Sequence, residues 1–492
     1  MAGICLCLTG KRLDEDIDLI SRYQDYLDFA ELRADFLEPS QLVHIDRLPK
    51  KTDIPLILTL RRPKEGGRFE GSEADRRRIL LNGLAGGYRF VDLEEDVDFP
   101  ELREAAFGAG TRIIRSLHDF DGLPGDLDKR LKNLARRSGE LPKIAVNPGS
   151  TGDVLKLLDV FDATRGSEKI LLGMGPWGFF TRVLATKLGS FLTYCSPEEE
   201  LAAPGHIDPK TLAEIYRFRS IGENSTVYGI IGNPVMHTRS PWIHNPGLSA
   251  IGVPAVYVPF QVDDLPEFVS SLSRLDIGGL SVTIPYKRGV ISLLKEVDQA
   301  VRVIGSCNTM YRLGDHWAGT NTDADGIRAS LEEILDRSVF ASLKATVIGA
   351  GGTARTVVYT LKELGAQVCI LNRTPSKAAE LARSFDCEWG ELAPSSTTLI
   401  ESYNDLIFQT SSVGMHPNED ADPIEFYDFR GHEAVVDAVY APEVTRLLTR
   451  ARDAGCRTVG GKSMLFGQAY RQFLLFTGVK YPEEVRDRAA AW

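Results

Sequence analysis

Two stretches of the sequence carry residue types whose spacing could do chemistry. In ATVIGAGGTA a β-branched run leads into Gly349, Gly351 and Gly352, with Ala354 where a small residue lets a following helix pack closely on the strand. RTVVYTLKELG continues as a helix whose N-terminal amides would face a pyrophosphate. The next strand, QVCILNRT, ends in Asn372 and Arg373, where a NAD site usually offers an acid to the ribose 2′-hydroxyl. Arginine there suits a 2′-phosphate, which it can hold in a fork of hydrogen bonds. The expectation is a dinucleotide site for NADP (NADPH) rather than NAD, with Gly349, Ala350, Gly351, Gly352, Thr353 and Ala354 in its turn and Asn372, Arg373 and Thr374 at its selective end. A plain tight turn and a solvated arginine would use the same letters; the strand, turn and helix context favours the cofactor.

The other stretch is the pair KIAVN and SLHDF, with Lys143 inside an apolar run and His118 at the end of one. A lysine on an apolar strand is ordinarily an edge residue with a buried stem and a head in water. Its meaning depends on the elements around it. Up to about residue 220, the runs ICLCLT, FAELRA, LILTLR, FVDLE, RIIRSL, KIAV, ILLGM and FLTYC alternate with helical, polar-faced segments. Eight strands alternating with helices predict a (β/α)8 barrel, whose active site lies at the C-terminal strand ends. Polar residues do gather there: Glu31, Arg33 and Asp35 in the second run, Arg61 and Arg62 after the third, His118 and Asp119 after the fifth.

The pattern restarts at VYGIIG, which places a boundary near residues 221 to 226. Another αβ region runs from Val227 to about Ala324, the glycine-turn domain follows from about Leu343, and the aromatic helix GQAYRQFLLF is expected to pack back on the region that starts at Val227. A chain of 492 residues holds roughly three or four folding units. A net charge of −11 argues against a nucleic-acid-binding face. Seven cysteines without metal-ligand spacing fit reduced thiols, with Cys5 and Cys7 in the core. The first ten residues lack a basic region, and no apolar stretch is long enough to span a bilayer. The expectation is a soluble cytoplasmic protein without membrane or metal, or a plastid one if a transit peptide precedes this sequence.

Upstream of the glycine turn lie GNPVMHTRSPWIHN, LSVTIPYK, GSCNTM and GTNTDADG, and beyond it DAVYAPEVTRLL and GGKSMLFGQA. In this order the motifs, over about residues 227 to 480, resemble shikimate dehydrogenase. The resemblance implies that Lys287 and Asp323 are a catalytic pair beside the hydroxyl or ketone being interconverted. It implies that Thr238, Ser240, Thr283, Asn308, Tyr440 and Gln468 hold the carboxylate and hydroxyls, and that Gly461 joins the cofactor-binding residues. Hydride transfer to a ketone builds alkoxide charge, which a nearby ammonium stabilises and can protonate. Two departures from the family pattern are Thr238, in place of the first serine of a Ser-x-Ser pair, and Ser281, where many members have asparagine.

The barrel half, through AELRAD, TLRRPKEGGRFEG, SLHDF, KIAV and APGHID, resembles type I 3-dehydroquinate dehydratase. By that resemblance Lys143 forms a Schiff base with the substrate ketone, His118 shuttles the proton and helps expel water, and Glu65 orients His118. A protonated imine is the electron sink, so no metal is required. Glu31, Arg33, Arg61 and Arg182 would bind hydroxyls and carboxylate. Lys143 opens its run, so its stem is expected to reach up the barrel. In the lid loop His206 replaces the usual glutamine and Ala202 a frequent serine; His206 is expected to add a titration in the working pH range.

Together the resemblances imply a bifunctional α/β protein: a TIM barrel at 1–221, a substrate-binding domain at 226–325 completed by 463–492, and a Rossmann NADP-binding domain at 326–462. The first would dehydrate 3-dehydroquinate to 3-dehydroshikimate and the second reduce that product to shikimate. Quinate as the preferred acid of the second half, and a catalytically dead metabolite sensor, are the alternatives. The sequence leaves the oligomeric state open, a monomer included, as it does direct passage of the intermediate.

Overall fold

The computed structural model describes residues 1–135, 139–197 and 205–487. Contacts divide the chain into two compact units, residues 1–278 and those from 279 on.

In the first unit all eight anticipated runs are strands: β1 (Gly3–Leu8), β2 (Phe29–Arg33), β3 (Leu56–Thr59), β4 (Phe90–Glu94), β5 (Arg112–Asp119), β6 (Leu141–Val146), β7 (Ile170–Gly173) and β8 (Leu192–Cys195). Each pairs parallel with the next from β1 to β7, and β8 returns to β1 with Gly3 opposite Leu192 and Cys5 opposite Tyr194. The seam between β7 and β8 is bridged by the Phe191 amide donating to Lys169 O (2.6 Å) and the Leu171 amide donating to Ser190 Oγ (3.3 Å). This is the (β/α)8 barrel.

Its interior is filled in layers drawn from alternate strands. At the N-terminal end Phe29, Phe90, Leu141 and Leu192 meet, capped by Phe191, whose ring centre is 5.8 Å from those of Phe29 and Phe90. Cys5, Ile57, Ile114 and Ile170 follow, all with no exposed surface. The next even-strand layer is Glu31, Asp92, Lys143 and Tyr194, so the core turns polar partway up the barrel. Cys5 and Cys7 are buried, and all seven cysteines are free thiols.

The first unit also carries β9 (Thr226–Gly232) and β10 (Ala255–Gln261), parallel along their length, and the helix Ser240–Ala250. Barrel elements grip this segment. The amine of Lys187 donates to Glu223 O, Ser225 O and Asp276 Oδ2 at 2.8, 3.0 and 2.6 Å. Phe180, on the helix Gly175–Val183, has its ring 5.5 Å from that of Phe260.

β11 (Ile277–Val282) holds the division between the units. In the second unit it pairs antiparallel with β13 (Thr309–Leu313), which pairs antiparallel with β14 (His316–Thr320); β12 (Glu296–Val297) lies parallel to β14. The strands β15 (Lys344–Ile348), β16 (Gln367–Asn372), β17 (Glu388–Glu391), β18 (Leu406–Gln409), β19 (Ala434–Asp437) and β20 (Arg457–Val459) form a parallel sheet in the order β17-β16-β15-β18-β19-β20. That order is the doubly wound dinucleotide-binding one, whose ligand site is the switch between its first and fourth strands, here β15 and β18.

The helix Asp323–Ile334 crosses the helix Gly461–Thr477 where both present glycine. A Cβ on Gly326 would stand 2.3 Å from Met464 O, so only glycine permits this approach. Among the described residues no helix is long and apolar enough to cross a membrane.

Gly326→Ala should force the two helices apart and destabilise the second unit by about 1–3 kcal/mol. Denaturant unfolding followed by reductase and dehydratase assays checks this: reduction should fail at lower denaturant than in the native chain, with dehydration unmoved.

Candidate active sites

In the barrel, Lys143 is the third residue of β6 and points inward, with 2 % of its surface exposed. The strand starts at Leu141, two residues before the run read from sequence, because Pro142 interrupts the apolar pattern but not the strand. Lys143 therefore stands in the interior, with no long reach up the barrel needed. Its Nζ donates to Asp92 Oδ2 at 2.8 Å and to Glu31 Oε1 at 3.5 Å. Arg61 Nη2 lies 3.0 Å from Asp92 and 3.8 Å from Glu31. Two cations thus face two carboxylates. Burial works to raise both carboxyls, but Lys143 and Arg61 outweigh it and hold Asp92 far below, and Glu31 below, the usual carboxylate range.

His118 ends β5, and Glu65 reaches it from the loop after β3. Glu65 Oε2 is 3.2 Å from both the His118 amide and its Nδ1. Burial, with Glu94 adding to it, pushes the Glu65 carboxyl up to about 7. Burial, Arg61 and Lys143 push His118 well below the ordinary imidazole value. The imidazole is neutral and can accept a proton, and an ionised Glu65 then stabilises the cation that forms.

The three arginines expected to meet substrate differ. Arg33 is forked onto Asp35 (3.0 and 2.8 Å) and also donates to Gly66 O, and Arg61 is engaged with Asp92 and Glu31. Arg182 is 2 % exposed, donates through Nη1 to Tyr194 O at 3.3 Å, and is pushed by burial down to about 10. The groups acting against that shift are the thiols of Cys7 and Cys195 and the phenol of Tyr194. A substrate carboxylate could meet its planar fork.

His206 lines the same cavity as Lys143, His118 and Arg182, with Nδ1 3.1 Å from Ser196 Oγ. Burial, then Arg182, Arg33 and Lys143, push it well below the ordinary histidine value. This runs against the expected titration in the working range: burial first, and then the three neighbouring cations, favour the neutral imidazole. Ala202 lies outside the described residues.

Asp92 was not among the residues singled out by sequence. Its signal is FVDLE, an aspartate at the inward period of an otherwise apolar strand. Ser116 Oγ donates to it at 2.5 Å, and Thr59 Oγ1 donates to Glu31 at 2.8 Å. A further buried pair, Arg76 with Glu94, ties the loop after β3, since Glu94 also accepts the Arg62 amide.

In the first unit Thr238 Oγ1 donates to Ser240 Oγ at 3.1 Å and accepts the Ser240 amide at 3.2 Å, just where the helix Ser240–Ala250 begins. In the second unit Lys287 Nζ is paired with Asp323 Oδ2. Asp323 opens its helix, a favourable place for an anion, and Asn308 Nδ2 donates to its other oxygen at 2.8 Å. The Tyr286 amide donates to Thr283 O, and the Cys307 amide to Lys287 O, which fixes the turn carrying the lysine. Ser281 Oγ donates to Gln472 Oε1 (2.8 Å) and Gln472 Nε2 to Thr309 Oγ1 (3.0 Å), so hydrogen-bond support survives the departure at Ser281. Gln468 Nε2 donates to Leu465 O, and Tyr440 is 40 % exposed after β19.

The glycine turn sits at the β15–β18 switch. Gly349 has φ +112, and a Cβ there would lie 2.5 Å from Thr410 Oγ1, so both conformation and space demand glycine. Cβ atoms on Gly351 and Gly352 would meet nothing within 4 Å, leaving an open cradle at the start of the helix Gly352–Glu363. Asn372 Nδ2 donates to Thr374 O and shapes the turn that presents exposed Arg373. Gly461 donates to Val439 O at the far side of the same sheet. These residues fit a dinucleotide.

Residues 4–223 match the family model for type I 3-dehydroquinase, 230–310 that for the shikimate dehydrogenase substrate binding domain, and 331–416 that for shikimate / quinate 5-dehydrogenase. The chain is 33% identical over 505 residues to the bifunctional 3-dehydroquinate dehydratase/shikimate dehydrogenase, chloroplastic, of Arabidopsis thaliana, covering 98% of this chain and 83% of that protein. It belongs to the bifunctional 3-dehydroquinate dehydratase/shikimate dehydrogenase family. The pentafunctional AROM polypeptide of Zygosaccharomyces rouxii is 31% identical over 97% of this chain, which spans 31% of that protein's length. Among solved structures, a shikimate dehydrogenase in complex with NADP+ matches at TM-score 0.50 and 32% identity, over 55% of this chain and 96% of that one. A quinate dehydrogenase from Corynebacterium glutamicum in complex with NAD matches at TM-score 0.50 and 27% identity, over 55% of this chain and 99% of that one.

Within this bifunctional family, Glu65 and His206 of the barrel should differ in their effect on the pH profile. Since Glu65 ionises near 7, dehydration should rise as pH passes that value, and Glu65→Gln should remove this limb and lower kcat on the order of tenfold or more. His206→Gln should leave the shape of the kcat/KM profile unchanged. Initial rates across pH 5 to 9 check both.

Arg373 offers a second check. Arg373→Ala should raise the KM for NADPH by about tenfold or more and leave that for NADH nearly unchanged; equal rises would remove the arginine from 2′-phosphate recognition.

Proposed function

We propose that the barrel dehydrates 3-dehydroquinate to 3-dehydroshikimate and that the dehydrogenase half reduces that product to shikimate with NADPH. The observation that carries the first activity is a buried lysine amine in a cavity also lined by His118 and Arg182. Lys143 adds to the substrate ketone and water leaves, giving a protonated imine. His118 removes the proton from the neighbouring carbon, and the electron pair moves into the imine to form an enamine. The enamine returns its electrons as the hydroxyl on the next carbon departs, taking a proton from His118 to leave as water. Hydrolysis of the remaining imine frees Lys143 and the enone. Arg182 meets the carboxylate, and Glu65 steadies His118 while it is cationic.

In the dehydrogenase half, NADPH supplies a hydride to the ketone carbon. Lys287 stabilises the developing alkoxide and delivers a proton to it, while Asp323 and Asn308 hold the amine in place. The turn Gly349–Ala354 would take the pyrophosphate, and Asn372, Arg373 and Thr374 the ribose phosphate. Quinate is the second reading for this half, favoured by the likeness to a quinate dehydrogenase and by Thr238, whose extra methyl crowds the position of the usual serine. Comparing kcat/KM for the two acids decides between them. We infer a soluble enzyme of the cytoplasm, with the plastid as alternative because the Arabidopsis relative is chloroplastic.

Lys143→Ala should abolish dehydration and leave reduction of added 3-dehydroshikimate intact, and Lys287→Ala should do the reverse. Enone absorbance and NADPH consumption read the two activities separately. Borohydride added with 3-dehydroquinate should fix an adduct on Lys143; an adduct on another lysine would defeat the assignment.

A further inference from the structure

One neighbour of Lys143 has no part in the reaction above. Tyr194 is the inward residue of β8 and 4 % exposed, and the centre of its ring lies 4.2 Å from Lys143 Nζ. It completes the layer around the amine: Asp92 at 2.8 Å from β4, Glu31 at 3.5 Å from β2, and an aromatic face from β8. Its buried hydroxyl has no hydrogen-bond partner among the described residues, so the phenol oxygen does not explain the residue. Its backbone carbonyl accepts from Arg182, a contact that side-chain replacement leaves in place.

We propose that the Tyr194 ring is a positioning residue for the imine, holding positive charge on Nζ after the nitrogen has lost most of its hydrogen-bond donors. This rests on the Schiff-base reading of Lys143. An ammonium has three N–H groups, enough for Asp92, Glu31 and a third direction. A protonated imine has one. That N–H stays with Asp92, the nearer carboxylate, and Glu31 no longer faces a donor on Nζ. A ring face attracts a cation without needing an N–H and offers no lone pair basic enough to remove the proton. A third carboxylate in its place would favour loss of that proton, and a neutral imine is a poor electron sink. The ring therefore raises the rate of proton abstraction from the neighbouring carbon while leaving substrate capture, which falls to Arg182, untouched.

The test replaces Tyr194 by phenylalanine, by methionine and by 3,4,5-trifluorophenylalanine, which keeps the ring's shape and cancels the negative charge of its face. In each full-length variant kcat and KM for dehydration are measured, with borohydride trapping on Lys143, and denaturant unfolding followed by circular dichroism reports that the barrel is folded. Phenylalanine should keep kcat within about twofold, and the trifluoro and methionine variants should lose on the order of tenfold in kcat with KM nearly unchanged. Reduction should be equal in all. A trifluoro variant as fast as the phenylalanine one, or a loss confined to KM, overturns the role of the ring while the imine stands. Failure to trap any adduct on Lys143 in the native enzyme overturns the imine, and this inference with it.

Discussion

A lysine amine buried in the middle of a barrel is the constraint to which the first unit is built. Taking an ammonium out of water costs several kcal/mol even after relaxation, and the cost is recovered only by opposite charge at close range. Lys143 and Arg61 against Asp92 and Glu31 achieve that balance within one stretch of the interior. The carboxylates' remaining lone pairs are met by Ser116, Thr59 and, at 3.5 Å, Cys7. Six strands must therefore deliver inward residues to the same height. The apolar layers beneath, from the Phe29–Phe90–Phe191 cluster upward, fix that height by filling the barrel below it.

Charge balance also sorts the arginines. Arg33 commits its fork to Asp35, and Arg61 faces Asp92 and Glu31 as an ion pair. Arg182 is as buried as they are, donates to the Tyr194 carbonyl and is pushed down to about 10 by burial. A carboxylate ligand meeting its planar fork would add an opposite charge at close range. His118 and His206 are both pushed down by burial first and then by cations, Lys143 and Arg33 being common to the two, which suits one to accept a proton and the other to donate or accept a hydrogen bond.

Much of this was legible in the sequence, because a strand period and a glycine turn are local signals. The eight runs, the turn at Gly349 and the helix after it all stand where the pattern placed them. The pairing of Lys287 with Asp323, implied by resemblance, is present as an ion pair. What escaped depends on distance through space. Asp92 shows locally only as an acid at the inward period of its run, and its role is not legible until β6 brings Lys143 beside it. Ser281, a departure from the usual asparagine, is supported by Gln472, 191 residues on, which no local pattern could reveal. The lowering of His206 escaped for the same reason: an isolated imidazole titrates near neutrality, and burial in the barrel mouth, then three cations from separate strands and a helix, push this one down.

The two chemistries ask for opposite surroundings, and this explains why the two lysines are built so differently. An imine must form on a nitrogen that is neutral when it attacks and positive once bonded, and the lysine proposed for it, Lys143, is enclosed between Asp92, Glu31 and the Tyr194 ring. Hydride reduction asks its lysine only to meet a developing alkoxide, and Lys287 keeps 32 % of its side chain exposed, paired with a single carboxylate at a helix start. A partly exposed amine can be recharged from solvent after each turnover, whereas an enclosed one must recover its proton from within the site. The barrel accordingly places His118, the proposed proton relay, in the cavity that Lys143 also lines. The dehydrogenase half needs no such relay, and among the described residues it holds Lys287 with one ion pair and a turn.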